Sequence, residues 1–221
     1  MTVNLPDMPA RIKRLPTDER GYPVPRFVEW LKDGEPARGR PGAKPDFRYA
    51  DYEFRARAFK HGLCWLCGER LGRHRVFVIG PMCVINRTTM EPACHRDCAE
   101  FAASACPFLV HPREKRNAKG LDEEASAPGT MIERNPGCVC LYETNDAEAF
   151  DDGAGGWLIR LGKPTKVDWW AEGRKATRAE IMASIDGGYP LLEAEANKDG
   201  IEALDELDRL TFEALELLPA A

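Results

Sequence analysis

Apolar and polar positions follow two periods along this chain, and the changes of period mark out its elements. From Arg48 to Lys60, Tyr52, Ala56 and Phe59 fall on one helical face, which predicts a helix. The period then shortens. Arg75–Ile79 is a β-prone run stopped by Gly80-Pro81, and Met82–Ile85 is a second, so the pair is expected to form a hairpin. Glu91-Pro92 is expected to open a helix that continues from Ala93 to Ala105 and stops before Pro107, because proline is favoured at the first helical position. Gly137–Tyr142, Gly156–Leu161 and Lys166–Trp170 read as strands of one small antiparallel sheet. Thr177 and Glu180 match a capping box, which starts a helix at about Arg178. That helix is expected to run to Ile185 and end at Gly187-Gly188. A further helical region begins at Pro190 and breaks near Asp199-Gly200. The last helix places Ile201, Leu204, Leu207, Leu210, Ala214, Leu217 and Leu218 at helical spacing.

Ahead of these elements, residues 1–46 hold eight of the seventeen prolines, interleaved with glycine and charge. Proline lacks an amide donor and biases its predecessor toward extended backbone, which predicts a Pro-rich extended arm. Within it, Pro25–Lys32 is expected to form a short helix anchored by Phe27, Val28, Trp30 and Leu31. The expected organisation is therefore an arm over 1–46, a cysteine-rich metal-binding unit over 47–116, a linker over 117–136, and a small sheet with acidic helices over 137–221.

Charge and cysteine usage change this picture. Residues 1–120 carry 22 Lys and Arg against 14 Asp and Glu, whereas residues 121–221 carry 9 against 22, so a net of −5 hides a basic half and an acidic half. Such asymmetry fits either nucleic-acid contact by the basic half or two faces that attract each other within one fold. A mean hydropathy of −0.44 and the lack of any eighteen-residue apolar run argue against a membrane span. The N-terminus has neither the basic nor the apolar region of a secretory signal, so the expected location is cytoplasmic, where thiols stay reduced. Six of the eight cysteines lie within 43 residues together with His61, His74 and His95, which points to a metal rather than to disulfides.

Zinc takes four soft or borderline ligands in a tetrahedron, and a Cys-x-x-Cys turn supplies two from one tight loop. Cys64-Trp65-Leu66-Cys67-Gly68 is such a knuckle. A second group, Cys94-His95-Arg96-Asp97-Cys98, offers three ligands in five positions. The favoured set is Cys64, Cys67, His95 and Cys98 around a structural Zn²⁺, with Cys94 as the alternate to His95. Cys83, Cys106, Cys138 and Cys140 read as buried thiols. The Asp151–Gly155 stretch reads as a turn between strands rather than a cation loop. Trp157, Trp169 and Trp170 lie near Arg160, Arg174 and Lys175, where they either stack on bases or fill a small core.

A Cys-x-x-Cys-Gly knuckle, a hairpin, and ligands at the start of a helix together resemble the treble-clef zinc fingers. The resemblance runs from Cys64 to Ala105. Its HNH and endonuclease VII-like branch implies a metal-dependent nuclease using His74, Asn86 and His95, yet Val78-Ile79-Gly80-Pro81 lacks the acid or histidine pair such a hairpin carries, so the site looks degenerate. The Gly80–Cys83, Cys94–Cys98, Trp169-Trp170 and Gly173–Arg178 segments are also similar to uncharacterised proteins of bacteriophages and prophages, which implies a bacterial host cell. The expected fold is α+β. The expected role is a zinc-stabilised accessory protein that binds a protein or nucleic acid, with an HNH-type endonuclease and an inhibitor of a host defence or nucleic-acid enzyme as alternatives.

Overall fold

The computed structural model describes residues 5–111, 135–153 and 155–220. In chain order the first elements are α1 (Ala10–Lys13), β1 (Val28–Lys32), β2 (Glu35–Pro36), β3 (Lys44–Ala50), α2 (Tyr52–His61), β4 (Val76–Ile79), α3 (Pro81–Asn86), β5 (Thr88–Thr89), α4 (Arg96–Ala105) and α5 (Pro107–Val110). Then come β6 (Val139–Glu143), β7 (Ala147–Asp151), β8 (Trp157–Leu161), β9 (Lys166–Ala171), β10 (Arg174–Lys175), α6 (Arg178–Asp199) and α7 (Ile201–Leu215). The class is α+β, as expected. The linker expected over 117–136 lies outside the described residues except for Asn135 and Pro136.

Three antiparallel sheets form, with orders β2-β1-β3, β10-β9-β6-β4 and β5-β8-β7. The four-stranded sheet organises the rest. β6 is buried at every position, and its side chains alternate between two apolar clusters as a period of two requires. Cys138, Cys140 and Tyr142 face a cluster completed by Phe77, Ile79, Trp169 and the helices α3, α6 and α7. Val139 and Leu141 face the other, made with Val76, Ile12, Phe54, Trp65 and the cysteine-rich segments. Because β4 pairs with β6, the expected cysteine-rich and C-terminal units share one sheet.

Several local expectations are corrected. Met82–Ile85 is helical, so the hairpin after β4 does not form: Pro81 takes the first helical position and Met82, Val84 and Ile85 are buried. A short continuous apolar run fits a buried helix as well as a strand. Residues 28–32 form a strand instead of a helix, turned into β2 by Asp33-Gly34, both at positive φ, the Asp-Gly signal of a two-residue hairpin. The Pro-rich segment is docked, with Ile12 and Val28 buried in the body. The three strands expected in one sheet divide: β6 and β9 pair in one, and β8 pairs with β7 in another.

α6 runs straight through Gly187, Gly188 and Pro190. Gly188 explains why: a Cβ there would lie 2.8 Å from Met82 Sδ, so the glycine lets α6 approach α3 rather than ending the helix. Its start is the capping box read from the sequence, with the Thr177 hydroxyl accepting from the Glu180 amide and the Glu180 carboxylate accepting from the Thr177 amide. Thr177→Ala should lower stability by about 1 kcal/mol in urea unfolding at neutral pH. The Glu180 carboxyl is held down to about 2, first by Arg174 and then by the Thr177 amide and hydroxyl. A folded-state value below the unfolded value of about 4.3 gives stabilisation present above that pH and lost as pH falls toward 2. The stability gap between wild type and Glu180→Gln should therefore narrow from pH 5 to pH 2; a constant gap would contradict this.

Candidate metal centre

The knuckle is a tight hairpin. Cys64 N–H donates to the Glu69 carbonyl at 2.7 Å, Gly68 N–H to the Cys64 carbonyl at 2.8 Å, and Leu63 bridges Arg70. Gly68 sits at φ +78°, and a Cβ there would meet Arg26 Cγ at 3.0 Å, so both backbone and space call for glycine. Trp65 anchors the turn, stacked between Phe27 at 4.8 Å and Phe54 at 5.7 Å. The Pro-rich segment thus packs on the knuckle, and Arg26 N–H donates to the Leu66 carbonyl at 2.7 Å.

The second ligand group is not a helical turn throughout. Cys94 and Val76 exchange backbone hydrogen bonds of 2.7 and 3.0 Å, and Trp65 N–H donates to the Ala93 carbonyl at 3.0 Å. These bonds hold residues 93–95 extended, and α4 begins only at Arg96 with His95 as its N-cap residue. His95 and Cys98 meet the knuckle in one mutual set, whereas Cys94, buried at 2% exposure, interacts with the Cys64 thiol but lies outside that set.

Cys64, Cys67, His95 and Cys98 place one ligand atom each within 4.8 Å of all the others. A tetrahedron with metal–sulfur bonds of about 2.3 Å has sulfur–sulfur edges of roughly 3.8 Å, so the spacing is compatible with a metal ion. The imidazole is oriented for it. His95 Nε2 lies 3.0 Å from the Arg70 carbonyl, which can only accept. The neutral ring therefore carries its proton on Nε2 and turns the Nδ1 lone pair toward Cys67 Sγ at 3.4 Å and Cys98 Sγ at 3.9 Å. Cys64 Sγ accepts from the amides of Cys67 and His95, each at 3.5 Å.

The electrostatics point the same way. Hydrogen bonds with Cys67, then Cys94 and Cys98, draw the Cys64 thiol far below its ordinary value. The same contact with Cys64 pushes Cys67 up to about 11 and Cys98 upward as well. Four such groups at this spacing hold one thiolate by themselves, and a divalent cation offsets the charge of the others. Outside the four ligands, Arg11 bonds Asp97 at 2.6 Å, and Arg14 reaches Glu69, so α1 straps both ligand groups.

Of the residues of the nuclease resemblance, His74 and His95 line one open hollow with Arg11, Arg73 and Asp97, and Asn86 is not among its lining residues. The His95 ring belongs to the thiol cluster, and the Asn86 side chain accepts from the Thr88 amide at 2.9 Å to shape the turn after α3. His74 Nδ1 lies 2.5 Å from Glu143 Oε1. Burial opposes ionisation of Glu143, yet Arg96 and His74 together hold its carboxyl below the ordinary range. Arg96 also bonds Asp168 at 2.7 Å, which ties α4 to β6 and β9. Cys83 and Cys106 lie outside the metal cluster, and Cys138 and Cys140 are buried in the helix-side core. Arg70, Arg11 and Glu143, which shape this centre, went unnoticed in the sequence; nothing local marks a backbone carbonyl or a strand-end acid reached across the fold. No protein-family model, curated protein or solved structure matches this chain.

Proposed function

We propose that this is a zinc-stabilised, non-enzymatic accessory protein that acts by binding a macromolecular partner through its basic N-terminal half. One observation carries the reading: three thiols and one oriented imidazole converge, with no fifth donor in the mutual set among the described residues. Structural zinc sites fill all four positions with protein ligands, whereas catalytic ones keep a position for water or substrate. A Cys₃His set suits zinc among common metals because thiolate and imidazole together favour it over magnesium or calcium. His95, placed as a ligand here, has no second role to offer a catalytic metal. The likeness of several segments to phage and prophage proteins supports an origin on a mobile element and work inside a bacterial host.

Part of the acidic half is engaged within the molecule. Arg87 pairs with Glu213, Arg96 with Glu143 and Asp168, and Arg209 with Glu206 and Glu213. Among the described residues, no helix is long and apolar enough to cross a membrane.

Supercoiled plasmid incubated with the purified protein and Mg²⁺, Mn²⁺ or Ni²⁺ should remain intact. Nicking that His74→Ala abolishes would replace this reading with the nuclease one.

A further inference from the structure

Beside the knuckle lies a hollow of about 450 Å³ lined by Phe59, Lys60, His61, Gly62, Arg70, Leu71 and Arg75. Phe59 packs on Trp157 at 5.6 Å and Leu71 lies against the core, which leaves a mostly polar lining. The rim carries three cations, Lys60, Arg70 and Arg75, with His61 beside them. Lys60 and His61 come from the end of α2, Arg70 from the second leg of the knuckle, and Arg75 from the entry to β4. None of these four side chains forms an ion pair or side-chain hydrogen bond with a described residue. That is selective, because the chain has 36 acids against 31 bases and nearby arginines are paired: Arg11, Arg14, Arg26 and Arg96 each hold a carboxylate. Cations left together around a concavity mark a site for an anion supplied from outside.

The outer face of α2 extends the hollow. Lys60, Arg57, Ala56, Glu53 and Tyr52 are exposed along one side of this ten-residue helix, which is about 15 Å long. At its far end Tyr52 is 49% exposed, and Phe47 on the preceding strand is 44% exposed. By contrast, two of the three tryptophans that the sequence offered for stacking are committed. Trp169 is buried with its Nε1 donating to the Leu217 carbonyl, and Trp157 lies under Arg55. A surface with cations at one end of α2 and exposed rings near the other, Phe47 lying beside Arg20 at 5.8 Å, matches a single strand, whose phosphates meet the cations and whose unstacked bases meet the rings. Duplex bases are already stacked and would leave Tyr52 and Phe47 without use.

We infer that the α2 face and the Lys60-His61-Arg70-Arg75 hollow bind single-stranded nucleic acid. The inference rests on the binding reading above and names its partner and surface. The metal centre shapes this site, because the Arg70 carbonyl holds the His95 ring while the Arg70 side chain faces the hollow.

The test is fluorescence anisotropy of a labelled twenty-nucleotide thymidine strand with the full chain at two salt concentrations, alongside zinc content and melting temperature. Wild type should bind the strand more tightly than a duplex of equal length and should weaken as salt rises. The Arg70→Glu/Arg75→Glu pair and the exposed single change Lys60→Glu should each weaken binding at least about tenfold with zinc retained. Lys198→Glu, the same charge change on α6, should leave it within about twofold. Tyr52→Ala should lose about fivefold or more while leaving the salt dependence unchanged, as expected for a lost stacking contact. Wild type that holds zinc but binds no strand, prefers duplex, or tolerates the charge reversals would overturn the inference and leave the zinc reading standing. Absence of zinc would instead be a failure of that reading.

Discussion

Cys64→Ser is expected to lose stoichiometric metal and to melt at a temperature lower by roughly 8–16 °C. Cys64 is fully buried, receives amide hydrogen bonds from both Cys67 and His95, and sits where the knuckle meets the α4 ligand group. Structural zinc contributes its binding free energy to folding, on the order of 10 kcal/mol in isolated fingers. Here part of that loss is offset, because the cluster is built into an apolar core containing Phe54, Trp65, Val76 and Leu141 that persists without the ion. A net cost of at least about 4 kcal/mol is the expected remainder, and about 2–4 °C per kcal/mol applies to a chain of this size. Treatment with a strong chelator should lower the wild-type transition to the same range. Cys83→Ser is the matched control: its thiol is pushed up to about 11 by burial, but it lies outside the metal cluster, so metal content should not change. Equal melting temperatures for Cys64→Ser and wild type would remove the structural role assigned to the site.

Arg55→Ala should cost about 3–5 kcal/mol in urea unfolding at unchanged m value. Arg55 is 1% exposed and forms no ion pair with a described residue. Burial lowers its pKa against the opposing pull of Asp152 and Glu91, and its direct contacts are two carbonyls and a ring. Its Nε donates to the Met90 carbonyl at 2.6 Å, its Nη2 to the Trp157 carbonyl at 2.7 Å, and the guanidinium lies 3.5 Å from the centre of the Trp157 ring. One side chain thus joins α2, the segment before Cys94, and the start of β8. Truncation takes the donor from the carbonyls of two half-buried residues, at about 1 kcal/mol each, and forfeits a desolvated cation–π contact worth about 2. Arg55→Lys keeps a charge but cannot reproduce the planar fork, so it should fall between alanine and wild type. A loss under about 1 kcal/mol for the alanine variant would show that water replaces the side chain at little cost.

What could be read in the sequence was what short-range chemistry dictates. The knuckle was legible because Cys-x-x-Cys-Gly encodes a tight turn whose glycine needs positive φ, and Thr177-x-x-Glu180 was legible because both halves of the box lie within one turn. The convergence of His95 and Cys98 was also legible, although the helix expected from Ala93 does not produce it. His95 precedes the helix, and the hydrogen bonds of Cys94 with Val76, made across seventeen residues, turn its ring toward the thiols. Long-range partners explain the other differences. Nothing near Met82 records that Gly188 will rest against it, and nothing near Val76 records that β4 will pair with β6, sixty residues on. The charge asymmetry admitted two readings: acidic side chains do pair with Arg87 and Arg96 inside the fold, and the nucleic-acid reading rests on the proposed site at Lys60, Arg70 and Arg75.

The most direct test of the central claim is zinc-edge X-ray absorption of the full chain purified without added metal, read together with elemental analysis. The account predicts one zinc per chain with three sulfur ligands at about 2.3 Å and one nitrogen at about 2.0 Å. It also predicts that His95→Ala loses the ion whereas Cys94→Ser keeps it. A four-sulfur shell that survives His95→Ala, or a chain that is folded and free of zinc, would contradict it.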